Sequence, residues 1–453
     1  MINEEKTKVL FAEADSDFAD VLLSFLTLPL GTIIRVMNKH YQDKAPPVIG
    51  SLTSLYKGLG NLNKAYFWSE GGKQMLLNPR SSFEPECRKL KLNVDDTQPI
   101  SYYRCGDKDC NRERTPSISM YHDTVKCDCV LGSKPETENE NNIDGGVFTK
   151  KHVSFLITDD LRVAPVVPGS IMQTLIKLGN IAVTCGAELR TVTLGFNDIM
   201  DLLRGSLLST TPLTDLILHK SCSNHERRGS NVVTGDLVHQ TAQKSSSDSK
   251  RMIVKAILRK SDNKLMCALA NEDFVDFLFS LLVIPLGGVE CLLGGKTPLK
   301  NIDNLYSSIA KDKYLSTPDM KNRLMKPELP PNYLSKNQIF SLEEQMTPKV
   351  YYFESVTTPD STTTLETGSW MHFKDPKGTF TLANDLTVTR VDSVFSALNR
   401  LNINWSDIRE LELHIGLEEA LNILERSLTS TSALSDALIN PTMRIATGVH
   451  AIV

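Results

Sequence analysis

The sequence predicts an α+β protein of two tandem pseudo-repeats, each a mainly antiparallel sheet packed with helices on one face. Three observations carry that prediction. First, "KVLFAEADSDFADVLLSFLTLPLG" (8–31) returns as "KLMCALANEDFVDFLFSLLVIPLG" (264–287), and residues 8–37 and 264–293 share 12 of 30 positions. Second, "GFNDIMDLLRGSLLSTTPLTDLIL" (195–218) returns as "GLEEALNILERSLTSTSALSDALI" (416–439), with 8 of 24 identities. Third, hairpin signals lie between the matched passages in both halves, interleaved with helical periodicity. The expected division is a first repeat over 1–220, a flexible linker over 221–250 and a second repeat over 251–453.

The first passage opens with an apolar run of strand length, "KVLFAEA" or "KLMCALA". Asp15 and Asn271 are N-cap residues, and Asp17, Glu272 and Asp273 place acid at the positive end of a helix dipole. Phe18, Val21, Leu22 and Phe25 share one helical face, as do Phe274, Phe277, Leu278 and Leu281. Pro29-Leu30-Gly31 and Pro285-Leu286-Gly287 read as the stop of that helix. The window Phe18–Met37 is apolar, but Asp20, Arg35 and the Pro-x-Gly break mark it as a core helix and not a membrane span. The pairs Asp17/Asp20 and Asp273/Asp276 have the spacing of paired carboxylates, yet dipole complementation and solvation account for them.

Further along, "KKHVSFLITDDLRVAPVVPGSIMQTLIKLGNI" predicts strand, turn, strand and helix, with Asp159-Asp160 at the turn. The second copy repeats this with Asn384-Asp385 at the turn. A short strand should precede Gly195 and Gly416, followed by an amphipathic helix through Met200, Leu203 and Leu207 and a short helix from about Pro212 or Ala433. One asymmetry stands out. The second copy begins with a hairpin, "RMIVKAILRKSDNKLMCALA", whose turn is Ser261–Asn263, whereas the first begins at the equivalent of its second strand. "MINEEK" is too short and polar to supply the missing strand, so that edge should be bare or paired from elsewhere.

The composition excludes several classes. A net charge of −4 argues against a general polyanion binder, and the acidic N-terminus lacks the pattern of a secretory or transit peptide. Nine cysteines scattered over 453 residues suit a reducing, intracellular setting, cytoplasmic or nuclear. The Ser-rich linker carries Arg227-Arg228-Gly229-Ser230, an arginine spacing that basophilic kinases read, which makes Ser230 a regulatory candidate. "RKLKLN" (88–93) reads as a solvated basic run. His152 and His414 fall in predicted strands, packed or solvated rather than ligating. Gly294-Gly295-Lys296-Thr297 has the ending of a phosphate loop. Glu290 stands where its first glycine is due, and apolar helix precedes it, so no nucleotide site is expected.

One constellation carries chemistry. Cys105, Cys110, Cys127 and Cys129 form two close pairs separated by a loop, in an insertion over about 102–130. Two such pairs can bring four thiolates to one structural zinc. The second pair, C-x-C, is short for that purpose, and His122 could replace one sulfur, with Cys87 more distant. The matching passage of the second copy keeps the tyrosine pair (Tyr102-Tyr103 against Tyr351-Tyr352) but no cysteine, so zinc would be a local staple of the first copy.

The strand–helix–"LPLG" opening, the "YYRC" segment, the "DDLRVAP" turn and the "SLLSTTPLTDLIL" ending, in this order, resemble the plant family catalogued as domain of unknown function 674. The resemblance implies a plant source and tandem copies of this unit, often with cysteine pairs at this point. It implies no activity. The chain departs from that pattern in its C-x-C pair and its clipped first strand. No catalytic signature accompanies the duplication, so the expected function is a non-enzymatic module that binds a protein partner. The alternatives are a small-molecule site or enzyme centre between the repeats, and a zinc-ribbon-like contact with nucleic acid, against which the charge argues.

Overall fold

The computed structural model describes residues 1–67, 70–97, 103–105, 118–119, 131–133, 146–166, 187–218, 251–311, 314–330, 333–335, 338–345, 379–390 and 405–441. In the first half, β1 (Phe11–Ala14) leads to α1 (Ser16–Ser24), which Asp15 caps by accepting the Phe18 N–H at 3.1 Å. A 3-10 turn, Phe25–Thr27, precedes α2 (Leu30–His40). Helices α3 (Leu52–Asn61), α4 (Glu70–Leu77) and α5 (Glu84–Cys87) complete a helical block. Strands β2 (Tyr103–Cys105), β3 (Ile118–Ser119) and β4 (Leu131–Ser133) make a small sheet of order β3-β2-β4. The hairpin β5 (Phe155–Thr158) and β6 (Val163–Pro165) turns at Asp159-Asp160 and joins β1 in a sheet of order β1-β5-β6. The half closes with α6 (Phe196–Leu208) and α7 (Pro212–Leu218).

The second half opens with the hairpin β7 (Met252–Arg259) and β8 (Leu265–Ala270), and Asn271 caps α8 (Glu272–Ser280) as Asp15 caps α1. Then come α9 (Leu286–Leu292), α10 (Lys300–Lys311) and α11 (Pro318–Met325). Strands β9 (Phe380–Leu382), β10 (Val388–Arg390) and β11 (Ile408–Ile415) complete a sheet of order β10-β9-β8-β7-β11, and α12 (Leu417–Thr429) leads into a π-helical turn, Ser435–Ile439. Every strand pair in the three sheets is antiparallel, so the fold is α+β as expected.

Paired local devices recur in the two halves. Gly195 donates its N–H to Asp198 (2.8 Å) and Gly416 to Glu419 (2.9 Å), opening α6 and α12 alike. Asp159 accepts from the N–H and hydroxyl of Thr214 (2.8 and 2.7 Å), while Asn384 accepts from the N–H of Ser435 (2.9 Å). Each sheet hairpin is thereby locked to the closing helix of its half.

The "LPLG" motif corrects the expectation of a helix stop. α1 and α8 end before it, and Pro29 and Pro285 cap the following helices, where a missing N–H costs nothing. The two motifs face each other. The Leu30 N–H donates to the Ile284 carbonyl at 3.0 Å and the Leu286 N–H to the Leu28 carbonyl at 2.9 Å, a two-fold-like exchange. A Cβ on Gly31 would lie 3.1 Å from the Leu282 carbonyl, and one on Gly287 3.1 Å from the Leu26 carbonyl. The glycines permit close approach of backbones rather than a turn.

Around this seam each half lends helices to the other. Ser51, before α3, donates to the Ser430 carbonyl (2.6 Å), and the Arg390 guanidinium stacks 4.5 Å over Tyr66. Reciprocally, Asn301 and Asn304 on α10 donate to the Ser209 and Asp160 carbonyls (2.6 and 2.9 Å), and the Val163 N–H donates to Ser308 (3.0 Å). One large apolar core runs through both halves, from Ile2 to Ile439, with two small clusters, around Leu156 and Ala164 and around Ile257 and Cys267, apart from it. Each fully buried Phe or Leu in it contributes about 1.5–3 kcal/mol relative to exposure.

Two further expectations change. Asp20 and Asp276 are buried, not solvated. Asp20 accepts the N–H groups of Val147, Phe148 and Thr149 (2.6, 3.1 and 2.8 Å), and Asp276 accepts the Ser335 hydroxyl, so both pin later segments to the opening helices. His152 lies in a turn at φ 59°, not in a strand, whereas His414 is on β11 as predicted. The basic run at 88–93 is partly neutralised by ion pairs from Arg88 to Glu84 and Lys91 to Asp17.

Candidate functional site

Cys105 ends β2, opposite Leu131 on β4. Cys110, His122, Cys127, Cys129 and Ser230 lie outside the described residues, as does the predicted helix after β6. Among the described residues no group of three or more His, Cys, Asp or Glu side chains could hold a metal. Cys87 is buried in the helical block 3.4 Å from the Thr27 hydroxyl, and burial pushes its thiol up to about 12. It is a neutral core residue at physiological pH.

The Gly294-Gly295-Lys296-Thr297 loop faces acids. Both glycines take φ +68°, which a side chain would strain. The Thr297 hydroxyl lies 3.1 Å from Glu290 and 2.7 Å from Asp303. Burial, reinforced by the charge of Asp303, pushes the Glu290 carboxyl up to about 9. The hydroxyl that a phosphate loop would offer its metal is occupied by two carboxyl groups.

A cavity of about 400 Å³ opens between α9, the end of α11, residues 341–343 and α12, lined by Cys291, Leu292, Lys326, Glu343, Leu417 and Leu421. Lys326 and Glu343 form an ion pair at 2.5 Å across one side. Its volume falls within the range of small-ligand sites. All of its lining comes from the second half.

The most distinctive surface is an edge of the first sheet. In the second half β7 is a central strand, paired with β8 on one side and β11 on the other. In the first half, Met1–Asn3 occupy only the end of the corresponding place. Ile2 bridges Val9 and Glu188, exchanging N–H···O bonds with Glu188 (2.8 and 2.9 Å), and the Asn3 N–H reaches the Lys8 carbonyl (3.0 Å). The Met1 amino group donates to the Phe11 carbonyl at 2.8 Å. "MINEEK" therefore supplies one bridging residue, more than its length and polarity led us to expect.

Beyond that bridge, no described residue pairs with Ala12–Ala14 on the outer edge or with residues 189–194 opposite. Val192 is 40% exposed, whereas Leu413, at its place in the second half, is 9% exposed. Leu189 is 79% exposed at the place of Glu410, which is exposed in the second half as well. Strand β1 is only partly buried, while β8 is mostly buried. A short strand was expected before both Gly195 and Gly416. β11 is that strand in the second half, but before Gly195 there is only the Glu188 bridge, and residues 189–194 form no strand.

The family model described as "Protein of unknown function (DUF674)" matches the chain over residues 1–384 and again over 373–451. No curated protein and no solved structure matches it. With nearly its whole length covered by that model, the chain belongs to the DUF674 family.

Proposed function

We propose that this protein acts as a binding module for another protein, along the surface beside β1 that carries residues 189–194, rather than as an enzyme. The observation that supports this reading is the exposure of the apolar Leu189 and Val192 close together beside β1, since exposed apolar side chains that cluster mark contact surfaces. The test is affinity capture from cells expressing the chain, with wild type and Leu189→Asp/Val192→Asp side by side. Both side chains are exposed, so the variant should keep the wild-type melting temperature. Proteins retained by wild type and lost by the variant are expected. Identical recoveries would refute the reading. The cavity beside Cys291 favours a second reading, a small-molecule site, which a metabolite-library thermal shift would detect as a raised melting temperature.

A further inference from the structure

The cavity beside Cys291 lies where the first half holds an arginine. Within the matched passages Cys291 on α9 stands at the place of Arg35 on α2, and Gly288 at that of Thr32. The facing wall corresponds as well. α4 and α11 end at Leu77 and Met325, whose carbonyls accept the Tyr56 and Tyr306 hydroxyls (2.8 and 2.6 Å), and Asn78-Pro79 and Lys326-Pro327 come next. Farther on, Val94-Asp95-Asp96 matches Leu342-Glu343-Glu344. In the first half the Arg35 guanidinium spans this space. It donates to the Asn78 side chain (3.4 Å) and the Thr97 hydroxyl (2.8 Å) and pairs with Asp95 (3.5 Å) and Asp96 (3.0 Å). In the second half the thiol of Cys291 is too short to do so. Cys291, Lys326 and Glu343, the counterparts of Arg35, Asn78 and Asp95, instead border a cavity of about 400 Å³.

The second half has thus kept the carboxylate and lost the cation that fills its place in the first. Taking this cavity as a small-molecule site, we propose that its ligand is an alkylguanidinium, with its stem along Leu292, Leu417 and Leu421 and its head on Glu343, where the first half places Arg35. The apolar lining suits such a stem, as arginine stems lie on apolar surface with the charge at a polar rim. Lys326 does not close the site to a cation. Its ion pair with Glu343 is exposed (56% and 62% of the two side chains), and such pairs are held weakly. The first half also shows one acid of this wall serving two cations, since Asp96 pairs with both Arg35 and Lys39 (3.0 and 2.6 Å).

The test adds n-butylguanidinium to the full chain, beside n-butylurea, its uncharged isostere, and hexanoate, an anion of similar length. Two quantities are read: the melting temperature, and the rate at which iodoacetamide alkylates the exposed Cys291, followed by mass spectrometry of its peptide. Butylguanidinium should raise the melting temperature saturably and slow the alkylation severalfold, whereas the other two compounds should do neither at the same concentration. Glu343→Gln changes an exposed side chain and should weaken both effects severalfold. Cys291→Arg should fill the cavity as Arg35 fills its own place, and abolish the shift. Arg35→Cys should lower the melting temperature by opening a second cavity, and butylguanidinium should then raise it more than in wild type. If Cys291→Arg does not fold, Glu343→Gln decides. An equal response to butylurea, an unprotected Cys291, or a shift that Glu343→Gln leaves unchanged would overturn the proposal. If hexanoate protects Cys291 instead, and Lys326→Gln removes that protection, the cavity stands as a small-molecule site and the cation does not.

Discussion

Replacing Glu290 with glutamine should flatten the pH dependence of stability. Glu290 lies on α9 with its side chain fully buried, one carboxyl oxygen 3.1 Å from the Thr297 hydroxyl and the other without a partner. Desolvation and the nearby Asp303 carboxylate push its pKa up to about 9, so the folded chain keeps this proton at neutral pH. In the unfolded chain the group titrates near 4.3. Between those values the folded state binds one more proton than the unfolded state, so stability falls as pH rises, by about 1.4 kcal/mol per unit. The contribution is fully present below the unfolded pKa and gone above the folded one. Glutamine has the same shape and no proton to lose. From pH 5.5 to 7.5 the wild type should therefore lose about 2–3 kcal/mol relative to Glu290→Gln. Urea unfolding at three pH values across that interval measures the difference. Parallel stability curves for the two proteins would refute the reasoning, because they would show Glu290 charged in the folded state.

Four other outcomes follow, three from the geometry and one from the cysteine pairs. Gly287→Ala places a Cβ 3.0 Å from the Leu324 carbonyl and 3.1 Å from that of Leu26, and backbone oxygens cannot swing aside, so thermal melts should show a loss of about 1–3 kcal/mol. Gly60→Ala, with nothing within 4 Å of the added carbon, should be neutral or slightly stabilising in the same assay. Asp20→Ala strips the acceptor from three N–H groups at 147–149, so it should cost about 3 kcal/mol or more and speed amide exchange at those residues. Elemental analysis of the purified chain beside Cys105→Ser/Cys110→Ser tests the zinc expectation: about one zinc per chain, lost in the variant, would support it, and none would refute it.

Much of the fold was legible because its signals are local. Asp15 and Asn271 announce their helices within three residues, and the turns at Asp159-Asp160 and Asn384-Asp385 sit between short apolar runs. The seam between the halves was not legible. A glycine that admits a neighbouring carbonyl looks, in one dimension, like a glycine that ends a helix, and only the contacts of Gly31 and Gly287 separate the two. Asp20 misled for a related reason. An acid near a helix start is ordinarily solvated, and its burial depends on residues 147–149 arriving from far along the chain. Glu290 was noticed only as a wrong letter in a phosphate loop, while its burial depends on tertiary packing.

The duplication bears on function through the places where the copies differ. Both halves keep the caps, the hairpin lock to the closing helix and the proline-glycine seam, which are the contacts that hold the core. Features held in common by both copies are explained by that core and need no further role. The differences are of another kind. The second half completes its sheet with β7, whereas in the first no described residue pairs with the outer edge of Ala12–Ala14, and Val192 is more exposed than its counterpart Leu413. An apolar side chain left exposed where its counterpart is buried is a natural place to test for a contact. The places where the two copies differ are therefore where a role beyond the fold is to be tested first.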